Sequence, residues 1–364
     1  MNLGSPELNA VSRAIGDLRR GMPVLLAGGG EVLLVAAAES GGDPKMLQGL
    51  SGQTVSLLIP GSRAKVLGLN PADSEIVSVA PDAGLTIETV AALIGEAPDD
   101  SVPTPDSSIH GTDAGNGLSA AAVDLVKLAR LLPAALIAVV RGDVAAFARR
   151  ADLLTVAATD IDHYRHAANA LAASEVSAQV PLPGAEKTRL VAFRPADGGK
   201  AHIAIIIGDP DPNSSVLVRL HSECFTGDLL ASLRCDCGDQ LRGAIAAISA
   251  ADGGILLYLA QEGRGIGLTN KLRAYRLQDN GFDTIEANEA LGFGADERVY
   301  APAAQILQRL GFTKIRLMTN NPAKMSALAE HGIEITARIP HAFPSNGHNE
   351  QYLQTKAARG GHLF

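Results

Sequence analysis

The sequence has no tryptophan, and aromatic residues make up only 4% of it. Any core must therefore rest on Ala, Val, Leu and Ile, in a chain that is 46% hydrophobic and 19% charged. That balance excludes a disordered polymer and allows a sizeable buried interior. No uncharged apolar run of about 18 residues occurs, which speaks against a membrane-spanning helix. The opening stretch MNLGSPELNAVSRAIGDLRR lacks the apolar region of a secretion signal, so a cytoplasmic protein is expected. Cysteines number three, and an odd count without a secretion signal argues against a disulfide framework. Lys and Arg are missing altogether from Val66 to Val126, against ten acids. A phosphate or nucleic-acid site is hard to build from that segment, and no nucleic-acid partner is expected.

At 364 residues the chain suits two domains. The excess of negative charge lies in the first half, with 12 Lys and Arg against 20 Asp and Glu in residues 1–180 and 19 against 19 thereafter. Periodicity predicts a helix over Glu7–Arg20, a strand–turn–strand over Pro23–Ala37 turning at Gly28-Gly29-Gly30, and a strand over Thr54–Pro60. Helices follow at Thr86–Ile94 and Ala120–Leu131, with a polar loop from Asp99 to Asn116 between them and a strand at Leu136–Arg141. A helix over Asp160–Ala173 closes the first domain, residues 1–175, and the stretch Ala172–Val180 reads as the boundary. The second domain, 181–364, has strands at Arg189–Phe193, Ala201–Ile207, Val216–Leu220, Gly254–Ala260 and Lys314–Thr319. Its helices are expected at Asp239–Ile248, Lys271–Asn280 and Ala303–Leu310. The alternation indicates two mixed domains, α/β and α+β.

Four constellations in the second half carry chemistry. The first is His221-Ser-Glu-Cys224-Phe-Thr-Gly-Asp228 with Arg234-Cys235-Asp-Cys237, which gathers every cysteine within fourteen residues. Structural zinc sites use four protein ligands, whereas catalytic sites use three and keep a position open. Three cysteines fit the second type; three buried structural thiols are the alternative, against which stand the polar neighbours Glu223, Thr226, Asp228 and Asp236. His221 is a candidate fourth ligand, although a lone histidine more often serves as a hydrogen-bonding residue. The second constellation is Gln261-Glu262-Gly263-Arg264-Gly265-Ile-Gly267, whose glycines permit close backbone approach and whose arginine can grip a phosphate. The third is Asp296-Glu297-Arg298, and the fourth is Thr319-Asn-Asn-Pro-Ala-Lys324 at a strand end, a usual place for ligand groups. Each of these three can equally be an ordinary turn. Tyr275 suits either core or site.

Together, in this order, the four motifs resemble GTP cyclohydrolase II, over about residues 181–364 and including the tail Asn349–Lys356 with Gly361-His362-Leu363. The resemblance implies zinc-dependent hydrolysis of GTP to 2,5-diamino-6-(5-phosphoribosylamino)pyrimidin-4-one, with release of formate and pyrophosphate, as the first step of riboflavin biosynthesis. It assigns zinc to Cys224, Cys235 and Cys237, one ion per chain, and Mg2+ to the GTP phosphates. Arg219, Leu220, His221, Ser222, Glu223, Gln240, Glu262, Gly263, Arg264, Thr284, Thr319 and Lys324 match nucleotide-binding positions. Asp296 matches the proposed general base, Arg298 the residue proposed to attack the α-phosphate, and Tyr275 a tyrosine of this enzyme type. The family also implies a homodimer. Where many relatives have Arg before Gln-Glu-Gly-Arg, this chain has Ala260.

The first half resembles 3,4-dihydroxy-2-butanone 4-phosphate synthase in layout, through its helix, its strand pair and Gly117-Leu-Ser-Ala-Ala-Ala-Val-Asp-Leu125. The family's acidic metal-binding run is replaced by Ala27-Gly-Gly-Gly-Glu-Val-Leu-Leu, and its Gly-His-Thr-Glu by Gly117-Leu118-Ser119-Ala120. The resemblance thus implies a degenerate domain without synthase activity. Competing readings are a paralogue opening the ring of another nucleotide and a non-catalytic nucleotide-binding protein. An open metal position and the Asp296/Arg298 pair argue against the latter.

Overall fold

The computed structural model describes residues 5–69, 74–81, 84–96, 111–114, 117–345 and 347. The tail motifs Asn349–Lys356 and Gly361–Leu363, and the loop from Asp99 to His110, lie outside the described residues. Among those described, no helix is long and apolar enough to cross a membrane. The described residues fall into two compact units, one drawn from Asn2–Ala167 with Leu272–Ala295, the other from Ala168–Lys271 with Asp296–Phe364.

The first unit is built on a seven-stranded sheet in the order β5-β4-β3-β6-β2-β1-β7. Its elements are α1 (Pro6–Arg19), β1 (Val24–Gly28), β2 (Glu31–Ala37), α2 (Pro44–Ser51), β3 (Ser56–Pro60), α3 (Gly61–Val66) and β4 (Ile76–Val79). They continue through α4 (Ile87–Ile94), β5 (Gly111–Asp113), α5 (Gly117–Leu128), β6 (Ala135–Val139), α6 (Val144–Ala151), β7 (Thr155–Ala157) and α7 (Ala158–Ala168). Helix α1 starts where Ser5 accepts a hydrogen bond from Leu8 N–H, with Pro6 beginning the first turn. Its Leu8, Val11, Ala14, Ile15 and Leu18 recur at helical spacing and are all buried. The β1–β2 hairpin closes from Gly28 to Glu31 through Gly29 and Gly30 at φ 60° and 83°. A two-residue turn with both φ positive is the geometry that glycine supplies most readily. The acidic run expected of a synthase is thus replaced by a tight turn.

The second unit carries another seven-stranded sheet, β14-β13-β11-β12-β10-β9-β8. Its strands are β8 (Leu171–Gln179), β9 (Thr188–Pro195), β10 (His202–Gly208), β11 (Val216–Ser222), β12 (Gly253–Leu259), β13 (Lys314–Met318) and β14 (Glu334–Ile339). The helices of the second half are α8 (Cys237–Ala250), α9 (Gly267–Asp279), α10 (Thr284–Ala290), α11 (Ala301–Arg309) and α12 (Pro322–Ala329). Strands β12, β11 and β13 run parallel, while β10, β9 and β8 add antiparallel edges. Val216, Val218 and Leu220 of β11 pack with Ala303, Ile306 and Leu307 of α11 in one core cluster. Leu217 shares the other cluster with Ala244 and Ile248 of α8. By the two-residue alternation of a strand, Arg219 and His221 share the α8 face.

Three local readings change. Within Asp99–Asn116, read as a loop, residues Gly111–Asp113 form strand β5, joined to the sheet by backbone pairing to β4. Helix α7 ends at Ala168, and the stretch read as a boundary is strand β8, paired antiparallel to β9. Its small and polar residues show no alternation of bulky apolar groups; backbone pairing to β9 makes the strand. Residues 272–295 pack within the first unit. There Arg273 pairs with Glu39 at 2.9 Å and with Glu96. Buried Arg63 donates to Leu93 O and Ala290 O, both at 2.8 Å, and to Ala92 O at 3.3 Å. It thereby satisfies terminal carbonyls of α4 and α10. Burial pushes its guanidinium down to about 10.

Candidate active site

Three of the four sequence constellations leave the C-terminal ends of the parallel strands β11, β12 and β13, where ligands of open α/β sheets usually bind. After β11 the chain makes a π-helical turn, Phe225–Leu229, with Cys224 as its N-cap. Cys237 opens α8, where the helix N-terminus favours a thiolate. The three sulfurs lie within 4.8 Å of one another. Cys224 and Cys235 are 3.8 Å apart at sulfur, too far for a disulfide. Two thiolates on one tetrahedral zinc, with Zn–S near 2.3 Å, stand about 3.8 Å apart by simple geometry. A Cβ at Gly227 would come within 2.8 Å of the Cys235 sulfur and 3.1 Å of the Cys224 sulfur. The absence of a Cβ at 227 therefore lets the turn approach the thiols closely without a side chain pressing on them. The donor set and its spacing fit zinc.

Hydrogen bonding with Cys235 and Cys237, and the nearby ammonium of Lys271, hold the Cys224 thiol far below its ordinary range. Lys271 Nζ stands 3.0 Å from Cys224 Sγ, 3.0 Å from Thr226 Oγ1 and 2.8 Å from Glu262 Oε1. The other Glu262 oxygen accepts from Phe225 N–H at 2.6 Å. Glu262, matched by sequence to the nucleotide site, here ties the glycine loop to the cysteine turn. Asp228 accepts from Cys224 N–H at 2.9 Å and from Tyr258 Oη at 2.8 Å, and lies 3.0 Å from His221 Nε2. His221 is thus a buried hydrogen-bonding residue stacked on Tyr258, and among the described residues the cluster that could hold a metal ion is Cys224, Cys235 and Cys237. Burial lowers its imidazole's proton affinity, which the Asp228 bond opposes.

The glycine loop is a 3-10 turn, Glu262–Gly265, with Gly263, Arg264 and Gly265 all at positive φ. For Arg264, at φ 60°, that is a strained conformation, of a kind that concentrates at functional sites. Glu297 N–H donates to Arg264 O at 3.0 Å, and a Cβ on Gly265 would meet Glu297 O at 2.7 Å. The loop and the Asp296–Arg298 turn are therefore locked together. Arg298 grips Asp296 with Nε and Nη2 at 2.7 and 2.5 Å. Burial pushes the Asp296 carboxyl up, but the bonds and charge of Arg298 outweigh it and hold the group below its ordinary range.

On β11, buried Arg219 donates to Met318 O at 3.0 Å and to Gln240 Oε1 at 2.5 Å, and burial pushes it down to about 10. Lys324 Nζ donates to Leu220 O at 3.0 Å, Ser222 Oγ accepts from Gln261 Nε2 at 3.1 Å, and Glu223 pairs with Lys200 at 3.0 Å. Thr319 Oγ1 accepts from Asn321 N–H at 3.0 Å and shapes the turn into α12. These residues of the second unit converge. Tyr275 on α9 and Thr284, which opens α10 and accepts from Gln278 Nε2 at 3.4 Å, belong to the first unit. Lys271 and Tyr258 escaped the sequence reading, while Thr226, Gly227 and Asp228 were quoted in the cysteine motif without a role of their own. Gly227 and Asp228 stood inside the cysteine motif and were the available signal; nothing in the spacing marks Lys271 or Tyr258.

His341, after β14, places Nε2 2.8 Å from Gln240 O and is clamped by Asn320 on both its backbone groups. Burial, then the charge of Arg219, lowers its imidazole from 6.5 to about 4. A depressed folded value means that the stabilisation is complete above pH 6.5 and is lost as pH falls toward 4, because the unfolded chain takes up the proton first. The thermal midpoint is expected to drop through that window, and to drop less in His341→Asn. Parallel midpoint-against-pH curves for the two proteins would contradict this.

The GTP cyclohydrolase II family profile matches residues 173–340. A protein named GTP cyclohydrolase-2 from Azospirillum brasilense is 52% identical over 98% of this chain and 94% of its own length. Riboflavin biosynthesis protein RibBA of Chlorobium phaeovibrioides is 45% identical over 68% of this chain and 62% of its own. That share exceeds what the second half alone could supply, so the likeness runs into the first half. GTP cyclohydrolase-2 of Azotobacter vinelandii is 58% identical over 46% of this chain and 80% of its own.

Proposed function

This chain belongs to the GTP cyclohydrolase II family, and we propose that it hydrolyses GTP to 2,5-diamino-6-(5-phosphoribosylamino)pyrimidin-4-one, formate and pyrophosphate in riboflavin biosynthesis. The observation that carries this reading is the spacing of the three cysteine sulfurs beside a cluster of cations at the ends of three parallel strands. Cys224, Cys235 and Cys237 would hold one zinc ion, which when bound supplies electrophilic activation of water for attack at C8 of the guanine ring. Lys271 and Asp228 fix Cys224 from two sides, through its sulfur and its backbone N–H. Arg219, Arg264, Arg298 and Lys324 supply positive charge for the triphosphate, with Mg2+ on the phosphates. Asp296, held ionised beside Arg298, is the base that would take the proton released by the attacking water. Arg298 stays protonated at working pH and stabilises charge at the α-phosphorus. Leu220 to Glu223, Gln240, Glu262, Gly263 and Thr319 complete the nucleotide site. A homodimer belongs to the same reading. Incubation with GTP and magnesium should yield formate, pyrophosphate and the pyrimidine product. Turnover of another nucleotide while GTP is ignored would favour a paralogous cyclohydrolase instead.

The first unit is proposed to be a degenerate 3,4-dihydroxy-2-butanone 4-phosphate synthase-like domain that serves as a scaffold. It packs the segment bearing Tyr275 and Thr284, through Arg63, Glu39 and Glu96. The cavity beside the β1–β2 turn, of about 540 Å³, is lined by Gly28, Glu31, Leu118, Ala120, Asp124 and Asp162 among others, with no cation among the lining residues. A sugar phosphate dianion meets no cation among these lining residues, and the nearby Arg165 is already paired with Asp124 at 2.6 Å; Leu118 cannot ligate a metal, and Ala120 cannot move a proton. Ribulose 5-phosphate is therefore expected to remain unconverted. Formate and a four-carbon phosphate produced above a metal-only control would overturn this.

A further inference from the structure

Two buried side-chain polar atoms among the described residues reach no hydrogen-bond partner, Arg219 Nε and Tyr300 Oη. Both belong to the second unit, and both stand among the groups just assigned to the nucleotide. Buried polar atoms in native proteins nearly always have a partner, so such a pair calls for one supplied from outside. Tyr300 sits directly before α11, two residues beyond Arg298, and its side chain is 9% exposed. Its ring has Arg298 Cζ 5.7 Å and Lys324 Nζ 5.9 Å from its centroid. Arg264 and Arg219 also act electrostatically on its hydroxyl, against the single carboxylate Asp296. The environment of the phenol is thus predominantly cationic. Burial pushes the phenol up to about 12, so it keeps its proton and can donate.

We propose that the Tyr300 hydroxyl is a substrate-contacting group that donates a hydrogen bond to a phosphate oxygen of the bound nucleotide, with Arg219 Nε–H as a second donor to the same ligand. The inference rests on the nucleotide reading of this site and adds a contact to it. The ligand chemistry follows from the surroundings: an anion with several acceptor oxygens satisfies both orphaned donors and balances the arginines and lysine, which a neutral base or sugar could not.

The test is Tyr300→Phe in the full-length protein, a change that removes one oxygen and keeps the ring under its two cations. If the hydroxyl waits for a ligand, its removal relieves an unmet buried donor in the free protein. The thermal midpoint without ligand should then rise by about 2 °C or more. At the same time KM for GTP should rise about tenfold or more, and affinity for inorganic pyrophosphate measured by calorimetry should fall by a similar factor, with zinc content unchanged. A merely structural tyrosine moves the midpoint down and leaves ligand affinity alone. That result, or wild-type KM and pyrophosphate affinity in the variant, overturns the proposal. So does a wild-type protein that fails to bind pyrophosphate at millimolar concentration. A wild-type protein that binds pyrophosphate but leaves GTP intact would sink the cyclohydrolase reading while the pyrophosphate comparison still decides the role of Tyr300.

Discussion

Cys235→Ser is expected to lose bound zinc and GTP ring opening together, with turnover down by about three orders of magnitude or more, some 4 kcal/mol of barrier. A serine hydroxyl stays protonated near neutral pH and offers no thiolate, and the remaining two sulfurs cannot hold the ion in catalytic geometry. The loss should be specific. Cys235 lies in a loop between the π-helical turn and α8, outside both sheets, so far-ultraviolet circular dichroism should be unchanged. Metal analysis of the purified variant, run beside formate release, checks both halves. Full activity in the variant, or an active wild-type protein free of zinc, would falsify the catalytic-zinc reading.

Arg298→Ala is expected to lower kcat for GTP by about a hundredfold to a thousandfold while zinc is retained. Arg298 is locked to Asp296 by two bonds, and the turn they form is tied to Arg264 through Glu297 N–H. Truncation therefore removes a positioned charge and frees the carboxylate that it orients. Arg298→Lys should recover only part of the loss, since an ammonium cannot span both carboxylate oxygens. Steady-state kinetics with pyrophosphate as the readout separates the possibilities. A raised KM with unchanged kcat would mean that Arg298 only binds the ground state.

Much of this was legible from residues in order. The β1–β2 hairpin announced itself through two glycines that accept positive φ where other residues resist it. Helix α1 showed its buried stripe, and β12 its continuous apolar run. The three cysteines that could hold a metal were legible because they crowd into fourteen residues. A thiolate cluster is a statement about residue type and proximity, and proximity along the chain was enough. The glycine loop and the strand-end lysine could be found as motifs, but only the parallel order of β12, β11 and β13 brings them to one end of one sheet.

The neighbours that tune the site were not legible, for a physical reason. Lys271 reaches Cys224 across 47 residues, and Tyr258 reaches Asp228 across 30. No local pattern distinguishes such side chains from any other lysine or tyrosine on a helix or strand. Strand β8 depends on an edge that β9 offers. The segment 272–295 packs with the first unit because Arg63 finds helix-terminal carbonyls and Arg273 finds Glu39 and Glu96, none of which is near in sequence. Composition, periodicity and clustered thiols act over a few turns of chain, so the sequence by itself determined the main helices and strands with a strong period and the cluster of three cysteines. Which buried donors are satisfied, and which, like Tyr300, are left waiting, depends on distances between remote segments, and that only the tertiary structure decided.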